Sequence, residues 1–288
     1  MATPFAFKDY FSGHADAYVR HRPDYPRALC AWLAEQSPAR RLAVEVATGN
    51  GQAAVGRAEY FEAVAGLEPS VDQLRQVRRH PRVQYREESA EAMSLASGSA
   101  DLIVAAQAAH WFDWRAFVAE SRRVLRPGGV LAMWCYGLFE CDPVVDRIVG
   151  EFSRDIVGPW WPRERRHVEE GYRDLLPPFP AIGAPHFEMQ ADWDFDAVLG
   201  YLGTWSAVRR AQIRTRRNPL ELLEAPLRAA WGEAPRRVRR PLVLKVHRAG
   251  SPGPRALVPA GKRLVASPDP ALPALPYTAR PCDPGDPE

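Results

Sequence analysis

Cysteine is scarce in this chain, with four among 288 residues. Cys30, Cys135, Cys141 and Cys282 match neither a zinc-site spacing nor a C-x-x-C redox pair, so no metal and no thiol–disulfide chemistry are expected. Long apolar runs are absent too. None approaches the roughly 18–20 residues that span a bilayer, which excludes a helical membrane protein. The opening MATPFAFKDYFSGHADAY has acids and aromatics but no apolar h-region, so no secretory signal and a cytoplasmic location are expected. No internal repeat is present, which excludes a solenoid. Net charge is only +3, yet twelve Lys/Arg against three Glu lie between positions 209 and 248. A basic face can mark nucleic-acid binding. No aromatic-rich RNA motif or recognition-helix pattern accompanies this one, so a solvated helical surface is expected instead and nucleic acid is not an expected partner.

What remains is ordinary for a globular protein, with 46% hydrophobic and 25% charged residues. The length suits one large domain carrying an inserted cap. Short apolar runs predict strands over 42–46, 63–67, 83–86, 102–106 and 130–136. Amphipathic stretches between them predict helices over 52–61, 71–79 and 114–125. That βαβ rhythm argues for an α/β fold with a parallel, doubly wound sheet. Arg126-Pro127-Gly128-Gly129 reads as a tight stop between a helix and a strand. Beyond position 137 helical material is expected over 142–156, 162–176, 195–215 and 219–231, with late strands over 186–191 and 241–247. Residues 1–35 read as an aromatic helical lid, 36–250 as the main domain with a cap at about 193–235. Residues 251–288, with ten of the 28 prolines, read as a disordered tail.

The stretch AVEVATGNGQAA, positions 43–54, is a strand that breaks into a glycine turn and then a helix. Such a loop lies at the C-terminal end of a parallel sheet, where ligands bind. Two cofactor templates fit it. Gly49, Gly51 and Ala54 match the dinucleotide pattern G-x-G-x-x-G/A, with Glu68 placed to hold ribose hydroxyls. The alternative is an S-adenosylmethionine loop, an acid near the end of strand one followed by the turn, here Glu45 to Gly51 with Ala47 where glycine is frequent. Glu45 separates the two. A carboxylate inside an apolar strand is costly without a partner. A sulfonium ligand with an α-ammonium group supplies one, as does an arginine of the N-terminal segment, whereas a pyrophosphate is repelled.

Further stretches extend the second template. Arg20 to Pro26 (RHRPDYP) resembles an N-terminal R-x-R-P element, and Gly66 to Ser70 (GLEPS) a second-strand motif. Ser89-Ala90-Glu91 resembles an adenine-side motif. DLIVAAQAAHWFDW, from Asp101, resembles a fourth strand with its loop, RVLRPGG the lead into strand five, and YLGTWSAV, from Tyr201, a cap. Over roughly residues 5–248 the chain resembles the class I S-adenosylmethionine-dependent methyltransferases, and within them the small-molecule group of the trans-aconitate type. The nicotinamide alternative explains none of the later motifs.

The resemblance implies a Rossmann-like seven-stranded sheet with helices on both faces and a helical cap inserted late in the chain. It implies S-adenosylmethionine as cofactor and a small-molecule methyl acceptor, a carboxylate or hydroxyl, in a monomer or homodimer. Glu68 is then the ribose acid. Glu45, the Ala47, Gly49 and Gly51 backbone and Arg22 hold the methionine end. Ser89, Ala90 and Glu91 lie by the adenine, and Gln107 sits near the cofactor. His110 is the candidate base or substrate donor. Trp111, Tyr136, Trp205 and Tyr18 wall the acceptor site, and Arg209 orients an acid. An NAD(P)-dependent oxidoreductase and a non-catalytic binding protein of the same fold are the alternative readings.

Overall fold

The strand runs at 42–46 and 102–106 are apolar on both faces rather than alternating, Glu45 excepted, the pattern of strands covered on both faces. In a computed structural model, which describes residues 24–250, they lie at the centre of the sheet. The strands are β1 (Leu42–Val46), β2 (Ala63–Leu67), β3 (Val83–Arg86), β4 (Ala100–Ala106), β5 (Leu125–Cys135), β6 (Glu188–Trp193), β7 (Arg236–Pro241) and β8 (Val243–Arg248). The helices are α1 (Arg27–Gln36), α2 (Gln52–Arg57), α3 (Val71–Leu74), α4 (Trp114–Val124), α5 (Pro143–Glu151), α6 (Arg165–Glu169), α7 (Phe195–Gly203), α8 (Ser206–Thr215) and α9 (Glu221–Trp231). Most of the expected lid, with Tyr18 and Arg22, and all of the expected tail, with Cys282, lie outside the described residues.

The main sheet runs β3-β2-β1-β4-β5-β8, parallel except for β8, which is antiparallel to β5. Strand order reverses between β1 and β4, and that switch point opens a crevice beyond the strand ends. Side chains alternate between two cores. Val44, Val46, Ile103 and Leu131 pack with Phe117 and Val124 of α4 on one face. Ala43, Leu102, Val104 and Trp134 pack with Leu29 and Leu33 of α1 and Ala54 of α2 on the other. Each large aliphatic chain so buried contributes roughly 1.5–3 kcal/mol. A third core joins Val145, Val149 and Phe152 around α5 to Trp193, Val198, Trp205, Leu223 and Trp231 of β6, α7, α8 and α9. The helical layer thus draws on two stretches that lie far apart in the chain.

Several elements differ from expectation. The main sheet has six strands, not seven. The expected strand at 186–191 is β6, and it pairs with β7 in a separate two-stranded ribbon. The edge beside β8 is taken by an irregular stretch that makes one bridge, Ala181 to His247. Pro177, Pro178, Pro180 and Pro185 crowd that stretch and remove the N–H donors of a ladder. The expected helix over 195–215 is two helices, because the Thr204 hydroxyl bonds back to the Tyr201 carbonyl at 2.7 Å and Trp205 turns extended. Helices over 71–79 and 162–176 shrink to α3 and α6. The 126–129 turn is absorbed into β5, with a register shift against β4 between Ala100 and Leu102. Among the described residues no helix is long and apolar enough to cross a membrane, and no cluster of three His, Cys, Asp or Glu could hold a metal ion.

Candidate active site

Beyond β1 the chain turns sharply. Ala47, Gly49 and Gly51 take φ values of +49°, +58° and +78°. The left-handed region costs a residue with a Cβ roughly 1 kcal/mol, which is why glycine suits position 47 and alanine is borne there. Position 51 has no such latitude, since a Cβ would come within 2.0 Å of the Tyr85 hydroxyl. Glu45 points to the α2 side of the sheet and there meets Arg57, Nη1 to Oε2 at 2.9 Å, both side chains at most 2% exposed. Among the described residues, the partner of this buried carboxylate is therefore Arg57 at the end of α2, six residues past Gly51, and the N-terminal arginines expected as an alternative lie outside the described residues. Burial pushes the Glu45 carboxyl up to about 7 against the pull of the Arg57 guanidinium.

Glu68, at the end of β2, closes the loop from the other side. Its two carboxylate oxygens accept the N–H of Gly49 at 2.9 Å and of Ser70 at 3.0 Å. Between these loops lies a cavity of about 500 Å³. Glu45, Ala47, Gly49, Glu68, Ser89, Ala90, Glu91 and Gln107 all line it, so the expected cofactor residues that are described converge, apart from Gly51 one step along the loop. Gln52, Gln73, Phe112 and Glu164 line it as well. Four glutamates and no lysine or arginine face this space among the described residues. Two buried polar atoms on its wall, Thr48 Oγ1 and Asn50 Nδ2, have no hydrogen-bond partner.

A smaller cavity of about 70 Å³ adjoins the first. Gln107 and Trp111 line both. Gln107 is held at φ +54° by a two-way bond to the Tyr136 backbone, Nε2 to the carbonyl at 3.2 Å and Oε1 from the N–H at 2.8 Å. This pairing continues the β4–β5 ladder past its end. The remaining wall is Tyr136, Trp161, Tyr201 and Trp205 with His110, Arg165, Thr204 and Ser206. His110 follows β4 on a single 3₁₀ turn, Ala109–Trp111, and its Nδ1 lies 2.9 Å from the Tyr172 hydroxyl. Burial, reinforced by the charges of Arg165 and His167, pushes the imidazole down to about 3. Arg209, on α8, lines neither cavity.

The family described as a methyltransferase domain matches residues 44–133, which is β1 through β5. A candidate methyltransferase of Dictyostelium discoideum is 35% identical over 210 residues, covering 72% of this chain and 80% of its own length. The solved structure of a candidate type II methyltransferase from Anaeromyxobacter dehalogenans is 48% identical, covers 80% of this chain and 99% of its own, and superposes with a TM-score of 0.75. An uncharacterized methyltransferase of Mycobacterium tuberculosis is 32% identical over 154 residues, 48% of this chain and 63% of its own. This chain belongs to the class I S-adenosylmethionine-dependent methyltransferases.

Membership in that family sets the nicotinamide alternative aside, and the methyltransferase site shows why the two separate physically. Glu45 is offset by Arg57, but the carboxylates of Glu68, Glu91 and Glu164 repel a pyrophosphate and suit a ligand that carries a sulfonium and an ammonium. The unpartnered Thr48 hydroxyl and Asn50 amide provide further polar contacts for such a ligand. The residues present therefore fit the family's cofactor. The sequence marks the wall residues that follow the strand ends, and Trp205 at the start of α8, but not those of the segment around α6. Trp161, Glu164 and Arg165 come from the segment before and within α6, and nothing in their local pattern marks them. The basic stretch at 209–248 is partly neutralised by acids outside it, with Arg236 paired to Asp142, Arg237 to Asp192 at 2.5 Å and Arg239 to Glu140 at 3.6 Å.

Proposed function

We propose that the protein transfers a methyl group from S-adenosylmethionine to the carboxylate or hydroxyl oxygen of a small molecule held in the smaller cavity. The observation that carries this reading is the pair of adjoining cavities that share Gln107 and Trp111, one lined by acids, the other by aromatics. When bound, the cofactor supplies an electrophilic methyl group on a positively charged sulfur. The chain's part is to hold, orient and keep out water. Glu68 holds the ribose hydroxyls, with Ser89, Ala90 and Glu91 beside the adenine and the Ala47 to Gly51 backbone at the methionine end. Trp111, Tyr136 and Trp205 confine the acceptor and exclude solvent. Calorimetry with S-adenosylhomocysteine and with NADH tests the reading. Binding of the first alone is expected, and a protein that takes NADH and ignores S-adenosylhomocysteine ends it. Labelled-methyl transfer to a panel of small acids and alcohols then separates an enzyme from a binding protein.

His110 acts in this reading as a neutral donor rather than a base. With the Tyr172 hydroxyl donating to Nδ1, Nε2 carries the ring proton. An imidazole held near 3 is a weak base at neutral pH. The methyl-transfer rate should therefore show no histidine inflection between about pH 5.5 and 8. An inflection there that vanishes in His110→Asn would restore the base. The same burial has a stability signature. The folded value of about 3 lies below the ordinary 6.5, so between them the unfolded chain binds the extra proton. This contribution to stability is whole above 6.5 and declines as pH falls toward 3.

A further inference from the structure

We infer that Arg165 is the anion anchor of the acceptor cavity, and that the methyl acceptor is a compact carboxylate. The inference rests on the reading of the two cavities as cofactor and acceptor sites, and it adds the chemistry that the acceptor must carry.

The two cavities differ in charge. The larger is lined by four glutamates and no lysine or arginine, the smaller by Arg165 and His110 and no aspartate or glutamate, among the described residues. Adjacent residues make the division, since Glu164 faces the larger cavity and Arg165 the smaller. The Arg165 guanidinium lies over the Trp161 ring, 4.6 Å from its centroid, and its side chain is 17% exposed. Its Nε is buried and has no hydrogen-bond partner. Glu169 approaches it to 3.5 Å without hydrogen-bond geometry and is itself 59% exposed. Glu169 is thus a solvated neighbour, not a full partner.

Arg165, only loosely paired with Glu169, keeps a buried Nε without a hydrogen bond, a cost that an anion in the cavity would relieve. Its planar fork suits a carboxylate, which it can engage through two parallel bonds. The indole beneath fixes the fork in place, so little side-chain freedom is lost on binding. Ser206, the first residue of α8, offers a hydroxyl on the same wall. Size narrows the class further. A water needs roughly 10–15 Å³ of such space. The 70 Å³ available therefore encloses a carboxylate and a few further atoms rather than a phosphosugar.

The test uses full-length protein saturated with S-adenosylhomocysteine. Acetate, crotonate, benzoate and phenyl phosphate are titrated by calorimetry, each carboxylate beside its amide. At least one carboxylate should bind tenfold or more tightly than its amide. Arg165→Met should abolish that preference and Arg165→Lys keep part of it, both with S-adenosylhomocysteine affinity within about twofold of wild type. Equal binding of acids and amides overturns the inference, as does a preference that survives in Arg165→Met. Tighter binding of phenyl phosphate than of every carboxylate overturns the assignment to carboxylates. The wild-type comparison needs no variant, so it decides even where Arg165→Met fails to fold. Loss of S-adenosylhomocysteine binding in wild type would instead count against the cofactor reading.

Discussion

Glu68→Ala is expected to weaken S-adenosylhomocysteine binding by about 3 kcal/mol, more than a hundredfold, because two separate supports are lost together. The ribose hydroxyls lose a charged acceptor. The Gly49 and Ser70 N–H groups lose the oxygens that hold them at 2.9 and 3.0 Å, so the glycine turn and the start of α3 are freed as well. Glu68→Gln separates the supports. Its single carbonyl oxygen can serve one N–H, but its amide NH₂ then faces the other donor. A loss between wild type and alanine is expected, with calorimetry as the readout. If Glu68→Ala binds S-adenosylhomocysteine as tightly as wild type, Glu68 has no place in the site.

Arg57→Met carries the largest expected cost to stability. Breaking a buried ion pair by removing one partner typically costs about 3–5 kcal/mol, since the remaining charge is left uncompensated. Here the remaining charge is Glu45, and it has an escape. Its folded value near 7 lies above the ordinary 4.5, so between those limits the folded protein holds a proton that the unfolded chain releases. Stability from this group is therefore whole below 4.5 and declines as pH rises through 7. Without Arg57 the pull that lowers the Glu45 value is gone and the value climbs further. Urea unfolding should show the full penalty of Arg57→Met at about pH 8 and a much smaller one at about pH 5. Equal penalties at the two pH values would mean that the cost is lost packing, such as the stacking of Arg57 on Trp134 at 5.2 Å, and not charge. The double variant Glu45→Gln, Arg57→Met should recover much of the loss at the higher pH.

These two residues show how differently parts of the site could be read in advance. The position of Glu68 was legible because it is set by sequence-local geometry. A parallel strand must end at the ligand edge, and the residue that ends the second strand beside the glycine turn can only face that turn. Glu45 was legible as a buried charge needing a cation, but its partner was not. Arg57 lies six residues past Gly51, at the far end of α2, and meets Glu45 only because α2 packs on the sheet face toward which Glu45 points. The periodicity of α2 marks Ala53 and Ala54 as inward and does not show how far around the helix an arginine can reach.

By itself, then, the sequence determined the order of strands and helices through β5, the glycine loop at the sheet's ligand edge, and the acids around it, all consequences of short apolar runs and glycine-turn patterns that act within a few residues. Tertiary structure alone decided which late strands join the sheet, where four prolines in a short stretch deny the seventh strand its donors, and which residues complete the smaller cavity. Trp161 and Arg165 stand some fifty residues beyond His110 in the chain. They reach its side only because α5 and the helices after β6 share one core, and side chains brought together by such packing leave no spacing in the sequence to read.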